Sequence, residues 1–171
     1  IYYSQRFGAW NYNAQLPQYQ LAVYDRENGK NATISSRYGS AFSPTLSPDG
    51  RWLVYGSRYE DQTGLIKRDL KSGDEEWLAY PIQRDEQESI APLGVLPAMT
   101  FTPDSKSVIA SWGGKLHRVQ IDGSGATEIP MDVDVALEMG PRLKFDYPIS
   151  DDEKMIVTQI RDAVPSPDGS Q

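Results

Sequence analysis

A lone histidine, His117, limits the chemistry open to this chain. A hydrolytic metal centre needs several imidazole or carboxylate ligands converging on one ion, often with a His-x-His pair. One imidazole cannot supply that set. A serine triad fails as well, because no Gly-x-Ser-x-Gly nucleophile elbow is present and the base would have to be His117. His117 therefore reads as a partly exposed strand residue. Thiol nucleophiles and disulfides are ruled out by the absence of cysteine from the 171 residues. The best metal-like group is Asp132, Asp134 and Glu138, since carboxylates at i and i+2 on a strand point the same way and could share a hard cation such as calcium. Yet no glycine-rich Asp loop follows, and the alternating Met131, Val133 and Val135 read equally well as a half-buried strand. Gly113-Gly114 and Gly123-Ser124-Gly125 lack the lysine and helix start of a phosphate loop and read as hairpin turns. No catalytic residue, cofactor or metal ligand is assigned.

Side chains suited to recognition are easier to find. The stretch from Gln5 to Gln20 carries Arg6, Phe7, Trp10, Tyr12 and Tyr19 among Asn and Gln, an aromatic and amide mixture common at binding surfaces. The same rings could instead pack onto a sheet below them. Arg84-Asp85-Glu86-Gln87-Glu88 reads as a solvated loop tip, and the excursion from Asp132 to Lys144 adds Asp132, Asp134 and Arg142. Net charge is −7, so most of the surface repels a nucleic-acid backbone. No stretch approaches the roughly 18 apolar residues of a membrane span. The chain has neither a signal-peptide pattern nor an initiating methionine, and is expected to start inside a longer one.

The elements that position these residues are announced by turns. Ser47-Pro48-Asp49-Gly50, Thr102-Pro103-Asp104-Ser105 and Ser166-Pro167-Asp168-Gly169 each fit a type I turn. Proline pre-sets φ at the second place, the short polar side chains cap backbone donors, and glycine accepts the left-handed exit. Ser105 stands where the other copies have glycine, which predicts slight strain there. Apolar runs follow the first two turns, Trp52-Leu53-Val54-Tyr55 and Val108-Ile109-Ala110, on consecutive residues as a strand covered on both faces requires. A second signature interleaves with the first: Tyr24-Asp25 before Gly29, Arg68-Asp69 before Gly73, and Ile121-Asp122 before Gly123 and Gly125. The strands leading into it, Leu21 to Asp25, Leu65 to Leu70 and Lys115 to Asp122, are more polar and predict a place nearer a rim. Two turns alternating in one order describe a repeated four-stranded sheet, the blade of a β-propeller.

Spacing then locates the insertions. Pro48 to Asp69 is 21 residues and Pro103 to Asp122 is 19, nearly constant. From the partner glycine to the next proline turn the gaps are 19, 30 and 42, so growth lies in the outermost strand and the crossing between blades. In the first blade Ile1-Tyr2-Tyr3-Ser4 matches Leu53-Val54-Tyr55-Gly56, and the extra residues fall between Gln5 and Tyr19. Strands alternate in direction, so both turn signatures emerge on one face and every insertion on the other. Long loops gathered on one side form the functional surface of such a repeat protein. The reading is an all-β, partial propeller. A blade without its first strand covers about 1–36, a complete blade about 38–80, another about 97–149, and the start of a fourth about 155–171. A closed ring has typically 4–8 blades, so the chain is an open arc. Its bare edges predict self-association or strand exchange between copies.

Leu46-Ser47-Pro48-Asp49-Gly50-Arg51-Trp52-Leu53-Val54-Tyr55 and its two partial copies resemble the TolB-like propeller repeats of bacterial periplasmic proteins and of peptidase and hydrolase accessory domains. The last third, with Gly140-Pro141, Phe145-Asp146-Tyr147-Pro148, Gln159-Ile160-Arg161-Asp162 and Pro165 to Gly169, is similar to propellers fused ahead of metal-dependent amidohydrolase domains. The resemblance implies a periplasmic or secreted module that binds a protein, a peptide or the remainder of its own chain. Its alternative implication is an accessory part of an amidohydrolase-like or peptidase-like enzyme whose catalytic domain lies outside this segment.

Overall fold

A computed structural model describes residues 1–7, 16–84, 99–141, 144, 151, 153–154, 156–159 and 161–170. The chain divides into two units, Ile1–Val133 and Asp134–Gln171. The first holds three antiparallel sheets. One is β1 (Tyr2–Arg6), β2 (Tyr19–Tyr24) and β3 (Asn31–Thr33) in chain order. The next is β4 (Phe42–Leu46), β5 (Trp52–Tyr59), β6 (Gln62–Asp69) and β7 (Glu75–Arg84). The last is β8 (Thr100–Phe101), β9 (Ser107–Trp112), β10 (Lys115–Gln120) and β11 (Ala126–Ile129). Sequential hairpins explain the order: apart from the twelve-residue connection of β1 to β2, turns of two to six residues leave neighbouring strands no partner but each other. The protein is all-β, and these sheets form an open arc of a propeller with no closed barrel among the described residues. In the second unit the described residues form no helix or strand and hold one formed turn, at Ser166–Ser170.

The proline turns are built alike. Gly50 N donates to Ser47 O at 2.9 Å, and Ser105 N to Thr102 O and Gly169 N to Ser166 O at the same distance. In each, the leading hydroxyl donates to the Asp carboxylate: Ser47 to Asp49 at 2.5 Å, Thr102 to Asp104 at 2.6 Å and Ser166 to Asp168 at 2.6 Å. Ser105 does take a left-handed φ of 59° where glycine stands elsewhere. Its hydroxyl accepts the Asp49 amide of the neighbouring sheet at 3.2 Å, a tie between two turns that glycine could not make.

Backbone bonds correct the register of the second signature. Asp25 N pairs with Lys30 O, Asp69 N with Asp74 O, and Gln120 N with Gly125 O. Trp52 faces Asp69 across one hairpin and Ser107 faces Gln120 across the other. Gln120, not Asp122, is thus the counterpart of Asp69, and the interval from the proline is 21 residues in one sheet and 17 in the other. β9 and β10 are each two residues shorter than β5 and β6. Pairing of Tyr2 with Val23 and of Val54 with Lys67 sets Tyr2 at the place of Val54, as the spacing of the first blade requires.

Two apolar clusters weld the sheets. Leu21, Ala41, Leu53, Tyr55 and Ile66 pack between the first and middle sheets. Phe42, Val54, Leu65, Phe101, Val108 and Val119 are among those packed between the middle and last. Alternate β5 residues enter opposite clusters, which is why the strand is apolar on consecutive positions. The expectation that the third strand of each blade lies nearer an exposed rim fails for β6. Thr63 through Lys67 are all buried, because sheets cover β6 on both faces. Lys67 is accommodated there by donating to Ile121 O at 2.8 Å in the next sheet, by pairing with Glu76 at 2.5 Å and by lying 4.9 Å from the Trp52 ring centroid.

Candidate recognition cleft

The loop-bearing face opens between the first two sheets into a cleft of about 510 Å³. Its walls are Leu16 on the approach to β2, Arg37-Tyr38-Gly39 on the crossing to β4, and Arg58-Tyr59-Glu60 at the β5–β6 hairpin. Close backbone contact holds the two walls together. Arg58 N donates to Gly39 O at 3.0 Å, and a Cβ on Gly39 would stand 1.9 Å from Arg58 O, so only glycine lets the crossing lie there. Ser57 Oγ donates to Ser40 O at 2.8 Å and accepts Arg37 Nε at 3.0 Å.

Aromatic rings continue from the cleft along β7. Tyr59 meets Tyr80 edge-on at 5.9 Å between centroids, Tyr80 meets Trp77 at 4.8 Å, and the Arg37 guanidinium lies 5.4 Å from the Trp77 ring centroid. Tyr80 donates its hydroxyl to Tyr59 O at 2.9 Å. Desolvation, then the charges of Glu60 and Asp61, push the Tyr80 phenol above its ordinary pKa and keep it a donor. Arg37 also pairs with Glu75 at 3.4 Å, and Arg68 shares that carboxylate at 3.3 Å. Beneath them the Tyr55 hydroxyl is buried with no partner at hydrogen-bond geometry among the described residues, and burial followed by the Glu75 charge raises its pKa. Tyr38 is 81% exposed and Tyr59 57%, while their backbones are pinned. Exposed rings on a fixed frame are what a binding anchor needs.

The opposite face carries a cleft lined by Asp49, Asp104, Asp122, Lys67 and Lys106 among others. Its carboxylates serve their own turns. Hydrogen bonds from Ser47, Thr102 and Ser124 hold Asp49, Asp104 and Asp122 below the ordinary carboxylate range. Asp168 falls to about 2 through Ser166 and Ser170.

Of the residues singled out for recognition, Arg6 and Tyr19 pair across β1 and β2 at the loop-bearing end, where Tyr19 also packs against the apolar core. Arg84 ends β7 opposite Gln62, beside the Tyr59–Gln62 hairpin. Trp10, Tyr12, Glu88 and Arg142 lie outside the described residues. Asp132 and Asp134 are exposed and belong to no strand. The half-buried strand expected through Met131, Val133 and Val135 is not formed, since all three side chains are exposed beyond the end of β11 at Ile129. Among the described residues no three His, Asp or Glu side chains gather as a metal site would require. His117 is half-buried in β10 and stacks on Trp112 at 3.7 Å and 5°. Sequence reasoning missed Arg37, Tyr38, Arg58, Tyr59 and Tyr80. The signal was present: Arg-Tyr occurs at 37–38 and again at 58–59, and both dipeptides fall on the insertion-bearing side.

The class of protein that these sheets define is the β-propeller, here as a partial, open arc. Solved TolB structures share the fold. TolB from Acinetobacter baumannii superposes with a TM-score of 0.54 at 20% identity, over 79% of this chain and 31% of that one. A putative TolB from Agrobacterium tumefaciens gives 0.54 at 17% identity, over 67% and 38%. The tricorn protease gives 0.52 at 19% identity, over 64% and 11%. The chain thus spans roughly a third of either TolB, 31% of one and 38% of the other. No protein-family profile matches the sequence, and neither does any curated protein.

Proposed function

We propose that this chain is a non-catalytic recognition and scaffold module of a larger extracytoplasmic bacterial protein. Its loop-bearing face takes a protein or peptide segment into the cleft between the first two sheets. The observation that carries the reading is the pair of exposed tyrosines, Tyr38 and Tyr59, set beside Arg37 and Arg58 on an interlocked backbone. Tyr and Arg are the residue types that dominate binding energy at protein interfaces. The fold likeness to TolB and the repeat resemblance support an extracytoplasmic setting. The test is selection of short random-sequence peptides on the immobilised chain, followed by affinity measurement on Tyr38→Ala and Tyr59→Ala. Each variant should lose about 2 kcal/mol, near thirtyfold in Kd. Enriched peptides that bind both variants as tightly as the parent would sink the proposal, and so would a selection yielding none.

A second reading makes the arc an accessory part of an amidohydrolase-like or peptidase-like hydrolase. It is supported by the terminal motifs and by fold likeness to part of the tricorn protease. The reading frame beyond Gln171 tests it. A barrel with a His-x-His pair there favours the hydrolase, and further blades alone favour the scaffold.

A further inference from the structure

The backbone around the cleft between the first two sheets is already engaged, so recognition there falls to side chains. Arg37 N donates to Gln20 Oε1 at 2.9 Å, and Arg37 O accepts Gln20 Nε2 at 2.6 Å. Gly39 O takes the Arg58 amide, Tyr59 O the Tyr80 hydroxyl at 2.9 Å, and Glu60 O the Arg58 Nε at 2.7 Å. An incoming β-strand finds no run of backbone donors and acceptors to pair with, and strand addition needs one. What the walls offer instead is donors and rings. Tyr38 and Tyr59 are exposed, and no described residue accepts a hydrogen bond from either hydroxyl.

A polyproline II segment has the complementary inventory. Its carbonyls make no internal hydrogen bonds, its prolines carry no N–H in need of an acceptor, and its conformation is set before it binds. The rings have the geometry such a segment requires. Tyr59, Tyr80 and Trp77 form a row with centroid steps of 5.9 and 4.8 Å. One polyproline turn rises roughly 9 Å over three residues, close to the length of that row. Interplanar angles of 71° and 46° facet it. The angle between two rings seats a pyrrolidine, as in the aromatic-lined grooves that take proline-rich peptides, whereas a pyranose would stack on rings laid flat.

The row is also fixed in advance. A Cβ on Gly64 would stand 2.8 Å from both Trp77 Cζ3 and Tyr80 Cδ2 and 2.7 Å from Ala79 O, so the two rings rest directly on the β6 backbone. Arg37, held by Gln20 and Glu75, lies against the Trp77 ring at 5.4 Å. Ordering before contact lowers the cost of binding. Charge adds a preference. Glu60 lines the cleft, Asp61 follows it at the hairpin tip, and the charge of both reaches Tyr80. A lysine or arginine flanking the prolines sits favourably there.

We propose that the occupant of the cleft is a proline-rich segment in the polyproline II conformation, with a basic residue beside its prolines. It lies on Tyr59, Tyr80 and Trp77 and accepts hydrogen bonds at its carbonyls from the Tyr38 and Tyr59 hydroxyls. This occupant rests on the recognition reading of the cleft. Titration of the whole chain with three peptides of equal length tests it: decaproline with a terminal lysine, the same with a terminal glutamate, and a Gly-Ser repeat with a terminal lysine. Lysyl decaproline should bind with a Kd below about 1 mM, and at least about tenfold more tightly than the Gly-Ser peptide. Glutamate in place of lysine should weaken it about threefold. Tyr59→Ala and Trp77→Ala should each lose about tenfold or more, with circular dichroism unchanged. Tyr38→Phe keeps the ring and removes only the donor, for a loss of about fivefold. Arg118→Ala, on the last sheet, should bind as the parent does.

Equal affinity for the proline and Gly-Ser peptides overturns the proposal. So does an affinity unmoved by Tyr38→Phe and Tyr59→Ala, or displacement of lysyl decaproline by cellohexaose, which would assign the rings to a carbohydrate. Should peptides selected on the chain prove free of proline yet depend on Tyr38 and Tyr59, this occupant is wrong and the recognition reading stands. If selection yields none and decaproline does not bind, both fall.

Discussion

The middle and last sheets share the proline turn, the strand order and the register of their central hairpin, yet their interiors differ. Leu65 of β6 is fully buried while its counterpart Leu116 of β10 is only half covered. Lys67 is buried and tied into the next sheet, while the corresponding Arg118 is exposed. Neither difference comes from the strands themselves. The middle sheet has a neighbour on each face, and the last has one described neighbour, on the side of β6. Burial in a blade is set by what stacks on it, and a repeat of constant chemistry yields positions of unequal energetic weight.

Apolar truncation tests the comparison most strongly. Leu65→Ala should cost about 2–5 kcal/mol in chemical denaturation, as expected for a buried leucine, and Leu116→Ala less than half as much. Equal losses would mean that the last sheet is covered as fully as the middle one. Next in size is the buried cation. Lys67→Ala leaves Ile121 O without its donor and removes the clasp on Glu76, for a loss of about 1–3 kcal/mol. Arg118→Ala should stay within about 0.5 kcal/mol. Should the two prove alike, Lys67 would not be the bridge between sheets.

The smallest effect concerns the turns, which should ignore coverage altogether. Asp168 in the second unit and Asp49 and Asp104 in the first all lie below the ordinary value of 3.8 for the same local cause, a hydroxyl donor two residues earlier. Because folding depresses these pKa values, the stability they add is fully present above about pH 4. It is lost as pH falls through the folded values, near pH 2 for Asp168. Carbon-detected NMR titration should place Asp168 at about 2 and move it toward 3.8 in Ser166→Ala. A midpoint unmoved by that substitution would show that something other than the turn hydroxyl holds the carboxylate down.

The parts of this fold that were legible in the sequence are those decided within a few residues. Ser47, Pro48, Asp49 and Gly50 bond among themselves, and so their turn could be read from four letters. The paired glycines at 113 and 114 are likewise a complete instruction, with φ of 58° and 72° closing the β9–β10 hairpin. Asp122 misled because a similar Asp-Gly spelling sits two residues away from the true counterpart, and only ladder pairing reveals the shift to Gln120. The candidate cleft was half legible. Its face followed from strand direction, but Tyr38 and Tyr59 are 21 positions apart and meet only because Gly39 lets one backbone lie against the other.

By itself the sequence determined the all-β class, the turn positions, the alternation of strands and the side on which insertions emerge. All of these rest on local φ preferences and short-range capping. Tertiary structure alone decided which strand is covered on both faces, why a lysine can be buried at 67, and which exposed rings share a wall. Those outcomes depend on contacts such as Lys67 to Ile121, 54 residues apart. At that separation it is the stacking of whole sheets that brings residues together, and no local pattern encodes the meeting.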